Sequence, residues 1–352
     1  MSAFDWQAAV DPRRLAAWMD SQGLEEGEIR DARMLTGGTQ NILVRFRRGA
    51  GDFVLRRPPV QPRPEGNKTI LREARVLGAL AKTAVPHARL IASCADSDVL
   101  GAPFYLMAPV DGFNASGSPL PSPHSRDPTL CRRMGFSMVD ALLSLGAVDP
   151  ASVGLADFGR VEGFLERQVP RWSAQLEGYR VYEHWPGPST LPGVRMVGDW
   201  LDAHRPAHFT PGVLHGDFHL ANVMFRHDGP EVAAVIDWEL ATLGDPLLDL
   251  GWLVATWPDA SGQGAGTIAV TPWDGFAQAD DLVAYYRARS DRDLGAIDWY
   301  VVLASYKLGI LLEGSHARSC AGKAPRETGD RHHASALRLF GSAMARMSGH
   351  SP

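Results

Sequence analysis

The segment His215-Gly216-Asp217-Phe218-His219-Leu220-Ala221-Asn222 is followed, fifteen residues past its Asn, by Asp237-Trp238-Glu239. Val213-Leu214 is an apolar stub leading into the first segment, and Val223-Met224-Phe225 reads as a strand leaving it. His227-Asp228-Gly229 reads as a tight turn, and Val232-Ala233-Ala234-Val235-Ile236 as the returning strand. Such a hairpin returns the chain, so that Asn222 and Asp237 are expected at the same end of a strand pair. An Asp, an Asn and a second Asp in this order suit phosphoryl transfer from a metal-bound nucleotide. One acid accepts the proton of an attacking hydroxyl, while the Asn and the other acid hold magnesium against the phosphates. Asp217, Asn222 and Asp237 are therefore the candidate catalytic residues, with Asn222 and Asp237 as metal ligands.

Two plainer readings exist for the same residues. His215-x-Asp217-x-His219 has the alternation of a metal triplet on a strand, although that leaves Asn222 and Asp237 without a role. Asp217 is also a residue type that caps turns through its own backbone. Downstream, Gly244-Asp245-Pro246 predicts a helix start with Asp245 as cap, and Asp249, one turn in, is placed to brace the loop.

Further segments carry a family resemblance. They are Leu35-Thr36-Gly37-Gly38-Thr39-Gln40-Asn41, Phe53-Val54-Leu55-Arg56-Arg57-Pro58-Pro59, Arg72-Glu73, Gly154-Leu155-Ala156-Asp157-Phe158-Gly159, Glu166-Arg167-Gln168 and Arg171-Trp172. With the segments above, they make the chain resemble the aminoglycoside phosphotransferase (choline kinase-like) superfamily over roughly residues 30–320. Within it, the chain looks most like the kinase-like domain fused to some acyl-CoA dehydrogenases.

The resemblance implies an α+β, protein kinase-like, two-lobed fold. Residues 1–107 would form a nucleotide-binding lobe of small antiparallel sheet plus helix, 108–112 a hinge, and 113–352 a mostly helical lobe for catalysis and acceptor binding. It implies ATP and Mg²⁺ as cofactors. Gly37, Gly38 and Thr39 would form a turn over the phosphates, where glycine permits close backbone approach. Arg56 stands where the family usually has a phosphate-binding Lys, with adjacent Arg57 as its rival on the opposite strand face. Glu73 would pair with Arg56, and Met107, Ala108 and Val110 would line the adenine edge. The family also commonly has His where Gly146 stands, a departure expected to affect local packing or capping.

Strands are expected near 30–35, 41–47, 52–57, 89–94 and 103–108. Helices are expected at 11–23, from Asn67 as cap to about Thr83, and at 128–146, 160–178, 192–204, 246–256, 278–289, 294–314 and 329–347. The 352 residues carry a net charge of −5 and no basic run, which argues against a nucleic-acid partner. No apolar run approaches a membrane span. Cys94, Cys131 and Cys320 are odd in number and without metal spacing, so a reduced, cytoplasmic chain is expected.

The expected partner is a small hydroxylated acceptor. Aminoglycosides are polycations, yet residues 257–352 hold ten acidic and ten basic side chains. Arg318, Lys323, Arg326 and Arg331 instead cluster after an expected helix, a group that reads either as a solvated basic surface or as a site for an anion such as the phosphates of coenzyme A. The branch resemblance points the same way, toward a 4-hydroxyacyl-CoA thioester. Two alternatives stand beside this: an aminoglycoside acceptor, and a non-catalytic nucleotide-binding protein, for which Arg56 in place of Lys is the best argument.

Overall fold

The computed structural model describes residues 6–35, 41–60 and 65–349. The chain divides into two compact units, one of residues 1–111 with 233–241, the other of 112–232 with 242–352.

The smaller unit begins with helix α1 (Pro12–Ser21), whose cap Asp11 accepts the amides of Arg13 and Arg14. Leu15 and Met19, one turn apart, are its buried residues. Strands β1 (Arg30–Met34), β2 (Ile42–Arg48), β3 (Gly51–Arg57), β4 (Leu90–Cys94) and β5 (Phe104–Met107) form one antiparallel sheet in the order β1-β2-β3-β5-β4. The alternate residues Ile42, Val44 and Phe46 of β2 face the core with Phe53, Leu55, Phe104 and Leu106, as a sheet covered on one face requires. Helix α2 (Gly66–Leu80) buries Ile70, Ala74 and Leu77, and the short α3 (Ser97–Leu100) precedes β5. Asn67 is not its cap. Helix α2 starts at Gly66, with Glu65 at the cap position and no side-chain cap bond, so Asn67 falls within the first turn.

The larger unit holds β6 (Phe113–Asn114), helices α4 (Pro128–Gly146), α5 (Gln168–Gly178) and α6 (Val194–Ala203), strands β7 (Gly212–Leu214) and β8 (Val223–Phe225), and the start of β9 (Val232–Val235). It continues with β10 (Thr242–Gly244), α7 (Leu247–Thr256), α8 (Ala279–Arg287), α9 (Ile297–Cys320) and α10 (Arg326–Met347). β7 pairs with β10 and β6 with β8, both antiparallel. Helix α9 is buried along most of its circumference, as expected for a helix at the centre of a bundle. A Cβ on Gly251 of α7 would lie 2.6 Å from the Tyr300 carbonyl carbon, so only glycine lets α7 and α9 approach this closely.

Helix α5 starts at Gln168 rather than near 160. Gly163 takes a left-handed φ of 62°, and the Arg167 guanidinium folds back onto the carbonyls of Arg160 (2.7 Å) and Glu162, so a turn replaces the first helical residues. Helix α9 runs on to Cys320, past the expected end at 314. Gly146 closes α4, and its carbonyl accepts Arg292 Nη2 at 2.9 Å.

Candidate functional site

The His-Gly-Asp segment lies between β7 and β8, and its conformation is set largely through its backbone. Gly216 adopts φ +85°, a left-handed turn that suits glycine. The amides of His215 and Gly216 both donate to the Asp249 carboxylate, at 2.7 and 2.9 Å. Asp249 is in the first turn of α7, which has Pro246 at the cap position in place of the expected Asp245, although the Asp245 carboxylate still accepts the Leu247 amide at 3.0 Å. Both residues are buried, and the two bonds from Asp249 are those of the bracing role read for it from the sequence.

Asp217 faces two side chains. His219 Nδ1 accepts the Ala221 amide at 3.2 Å, which leaves the proton of a neutral ring on Nε2. That nitrogen lies 3.2 Å from Asp217 Oδ1. Asn222 Nδ2 donates to Asp217 Oδ2 at 3.0 Å and to the Asp217 carbonyl at 2.9 Å, which fixes the amide orientation and leaves Oδ1 as an acceptor. Burial pushes the Asp217 carboxyl pKa up. The His219 hydrogen bond and the nearby His215, His219 and Lys307 outweigh this and hold it well below the usual carboxylate range. Asp217 is thus more than a turn residue. The metal-triplet reading finds no support, and His215 Nδ1 accepts the Asp217 amide at 3.3 Å. Among the described residues no three-membered cluster of metal-competent side chains includes His215 or His219.

Two residues of this site escaped sequence reasoning. Asn114 Nδ2, on β6, donates to the carbonyls of Ala221 (2.7 Å), Val223 (3.0 Å) and Leu220 (3.4 Å). Lys307, on α9, donates to the Gly216 carbonyl at 3.0 Å, with its ammonium 4.2 Å from the Trp252 ring centroid and 5.4 Å from that of Trp172. Burial lowers its pKa to about 8, against the raising effect of Asp217 and Asp249. Both residues lie about ninety or more positions from the loop they hold, and no spacing rule connects them to it.

The smaller unit gathers Arg56, Glu73 and Asp237. Arg56 Nε and Nη2 approach the two Glu73 oxygens at 2.8 and 3.2 Å, and Nη2 also donates to Asp237 Oδ1 at 2.7 Å. Tyr105 donates to Glu73 Oε2 at 2.9 Å. Burial lowers the Arg56 pKa, but Glu73, Tyr105 and Asp237 more than offset it and raise it above its ordinary value. Asp237 has φ +66°, uncommon for a residue other than glycine. One oxygen each from Glu73, Asp237 and Glu239 lie within 4.8 Å of one another. Oxygen-only donors of this kind fit a hard cation such as magnesium, and Glu239 joins Asp237 as a residue able to hold one.

Arg57 is no rival to Arg56. Its buried guanidinium is spent on the carbonyls of Ala9, Leu100 (2.8 Å) and Pro58 (3.2 Å). Met107 ends β5, paired with Val54 and Leu90. The Ala108 amide donates to Arg89 O at 2.9 Å, so any contact Ala108 makes with a base edge must use its carbonyl. Gly37, Gly38 and Thr39 lie outside the described residues.

The larger unit also carries a cleft of about 770 Å³ lined by Arg160, Glu166, Arg167, Arg171 and Thr242, among others. The cation of Arg171 is close enough to help lower the Lys307 pKa. By contrast, Arg326 of the basic group noted in the sequence is 3.6 Å from Asp330 on an exposed stretch of α10.

Known proteins extend the same picture. Residues 31–299 match the model of the phosphotransferase enzyme family. The chain is 29% identical over 300 residues to acyl-CoA dehydrogenase family member 10 of Mus musculus, covering 83% of this chain and 27% of that protein. It is 28% identical over 331 residues to family member 11 of Homo sapiens, covering 90% and 40%. The chain therefore spans well under half the length of these relatives. A crystal structure from Ralstonia eutropha, whose assignment as an aminoglycoside phosphotransferase is provisional, superposes with a TM-score of 0.79 at 28% identity. The match covers 95% of this chain and 98% of that one. A ternary complex of aminoglycoside phosphotransferase APH(4)-Ia with AMP-PNP and hygromycin B shares the fold at TM-score 0.58 and 14% identity, covering 92% and 98%. The expected α+β, kinase-like fold is thus the one observed.

Proposed function

The chain belongs to the phosphotransferase enzyme family, and from that premise we propose that it moves the γ-phosphoryl group of ATP to a hydroxyl of a small anionic metabolite. The observation that carries the reading is the Asp217 carboxylate, kept ionised and oriented by His219 and Asn222 on a loop whose amides rest on Asp249.

In this reaction the acceptor hydroxyl oxygen bonds to the γ-phosphorus, the bond to the β-phosphate oxygen breaks, and the hydroxyl proton passes to Asp217. A carboxylate held so acidic is a weak base. It takes the proton late, once the phosphorus–oxygen bond has formed enough to acidify the hydroxyl, which suits a loose transition state. Asn222 Oδ1 and the carboxylates of Asp237 and Glu239 are the groups proposed to hold Mg²⁺. Bound there, the ion would neutralise phosphate charge. Arg56, with Glu73 fixing its planar fork, would meet phosphate oxygens in place of the family's usual Lys.

The acceptor reading rests on charge. A cleft lined by three arginines repels a polycation and suits an anion, and through Arg171 and Lys307 it is electrostatically linked to the Asp217 loop. Kinship with proteins that carry an acyl-CoA dehydrogenase name supports a hydroxyacyl-CoA thioester as that anion. The test is mass detection of phosphorylated product from Mg-ATP and hydroxyacyl-CoA thioesters, with Arg171→Ala alongside. A raised KM for the thioester with little change in kcat is expected. Phosphorylated kanamycin with untouched thioester would replace this acceptor by an aminoglycoside. ATP binding with no transfer to either would favour the non-catalytic reading.

A further inference from the structure

Away from both charged groups, the α9–α10 hairpin buries a polar cluster that the transfer reaction does not use. Glu313 is fully buried on α9. Its Oε1 accepts Trp185 Nε1 at 2.7 Å, and its Oε2 lies 2.7 Å from His333 Nδ1 on α10. His316, one turn along α9 from Glu313, stacks against His333 with ring centroids 4.3 Å apart. Single donor atoms of Glu313, His316 and His333 lie within 4.8 Å of one another. Cys320 Sγ is 3.6 Å from His316 Nε2, and Asp330 Oδ1 is 3.8 Å from His316 Nδ1.

The two histidines are not equivalent. His333 has a clear role without any ion, since it pairs with the buried Glu313. His316 has none of comparable strength: its Nδ1 is buried and makes no hydrogen bond among the described residues. A buried imidazole nitrogen left without a hydrogen bond calls for an explanation. Replacing the proton between Glu313 and His333 with a cation would supply one, because that cation would also gain a His316 nitrogen. Glu313 and His316 make a Glu-x-x-His pair, the i, i+3 element that ferritin-like helix bundles use in building their metal sites. Trp185 already orients the carboxylate as an outer partner does in such sites.

We propose that Glu313, His316 and His333 form a site for a divalent transition metal of the zinc type, with Asp330, on the Nδ1 side of His316, as the adjacent fourth ligand. Two imidazoles and a carboxylate suit zinc or cobalt rather than magnesium or calcium. The side chains of His316 and His333 are 14% and 28% exposed, which gives the ion a way in from solvent. A metal there would fasten α10 to α9, the helix that also carries Lys307.

The test is titration of the reduced, chelator-treated full chain with Co²⁺, followed by its visible d–d absorption, and then with Zn²⁺, followed by thermal unfolding. The expected result is one equivalent of cobalt in a low-coordinate site, displaced by zinc, and a rise in Tm with zinc. Without metal, His316→Ala should lose only the packing of its ring on His333, because its Nδ1 makes no hydrogen bond among the described residues. With metal it should bind more than about 10–100-fold more weakly, the loss typical of altering even an outer partner, and lose the Tm rise. Glu313→Gln, which keeps the Trp185 bond, should weaken binding similarly. Absence of saturable binding, or undiminished binding in His316→Ala, overturns the site. Binding lost in Asp237→Ala but kept in both other variants would also overturn it, by assigning the ion to the carboxylates beside Arg56.

Discussion

Around Arg56 the contacts run from side chain to side chain, whereas the loop that carries Asp217 is held by side chains bonded to its backbone. Arg56 meets Glu73 and Asp237 directly, and Tyr105 completes the group. The Asp217 loop is instead held by Asp249 on two amides, by Asn114 on three carbonyls and by Lys307 on one more. An ion-pair network of the first kind can shift its partners when a ligand arrives, because each contact is between two rotatable groups. A loop of the second kind has its course fixed before any ligand arrives, which is what positioning a reacting carboxylate demands.

The largest expected effect separates chemistry from binding. Asp217→Asn should lower kcat by about 10²–10⁴-fold, the usual worth of a positioned acid or base. Nucleotide affinity by calorimetry should be nearly unchanged, and comparable losses in both would break the distinction. Next comes Asp249→Ala, which strands two buried amides at about 1–3 kcal/mol each. Urea unfolding should report that loss of stability, and kcat should fall with it.

These backbone clamps mark where the sequence stopped being readable. Asp217, Asn222 and Asp249 were legible because short-range spacing ties them to one loop and the helix after it. Asn114 and Lys307 act from 107 residues before and 91 after the groups they hold. A lysine in an apolar helix looks like any snorkelling side chain until two Trp rings are seen around it. In the smaller unit, strand alternation separated Arg56 from Arg57, but only the fold shows that the Arg57 guanidinium is consumed by carbonyls. The five strands fell close to their expected ranges, with β2 the one whose burial alternates along its length. The start of α5 did not, because Arg167 binds the carbonyls a helix would need.

Lys307 gives a third, pH-dependent handle on the clamps. The folded chain releases its proton at about pH 8 against 10.5 for an ordinary lysine. Between these values the unfolded state binds more protons, so stability rises with pH; below about pH 8 the full cost of burying the charge is present. That contribution is on the order of 3 kcal/mol. Lys307→Met should remove the rise in a series of unfolding curves between these pH values, while lowering kcat at pH 7 because the Gly216 carbonyl loses its donor. An unchanged pH slope would remove Lys307 from the account.

The smallest effect concerns the adjustable network. Arg56→Lys restores the family's usual residue but replaces a planar fork with a point charge that cannot hold Glu73 and Asp237 in the same way. The KM for ATP should rise by roughly tenfold, about 1.4 kcal/mol, with kcat less affected. A fall in KM would mean that lysine serves this site better and that the Arg56 fork is not adapted to phosphate.

The most direct measurement is ADP release from Mg-ATP with 4-hydroxypentanoyl-CoA, wild type against Asp217→Asn, with kanamycin as the competing acceptor. Thioester-dependent release by the wild type, absent in the variant and absent with kanamycin, is the predicted result. Release that persists in Asp217→Asn would contradict the central claim that this carboxylate receives the acceptor's proton.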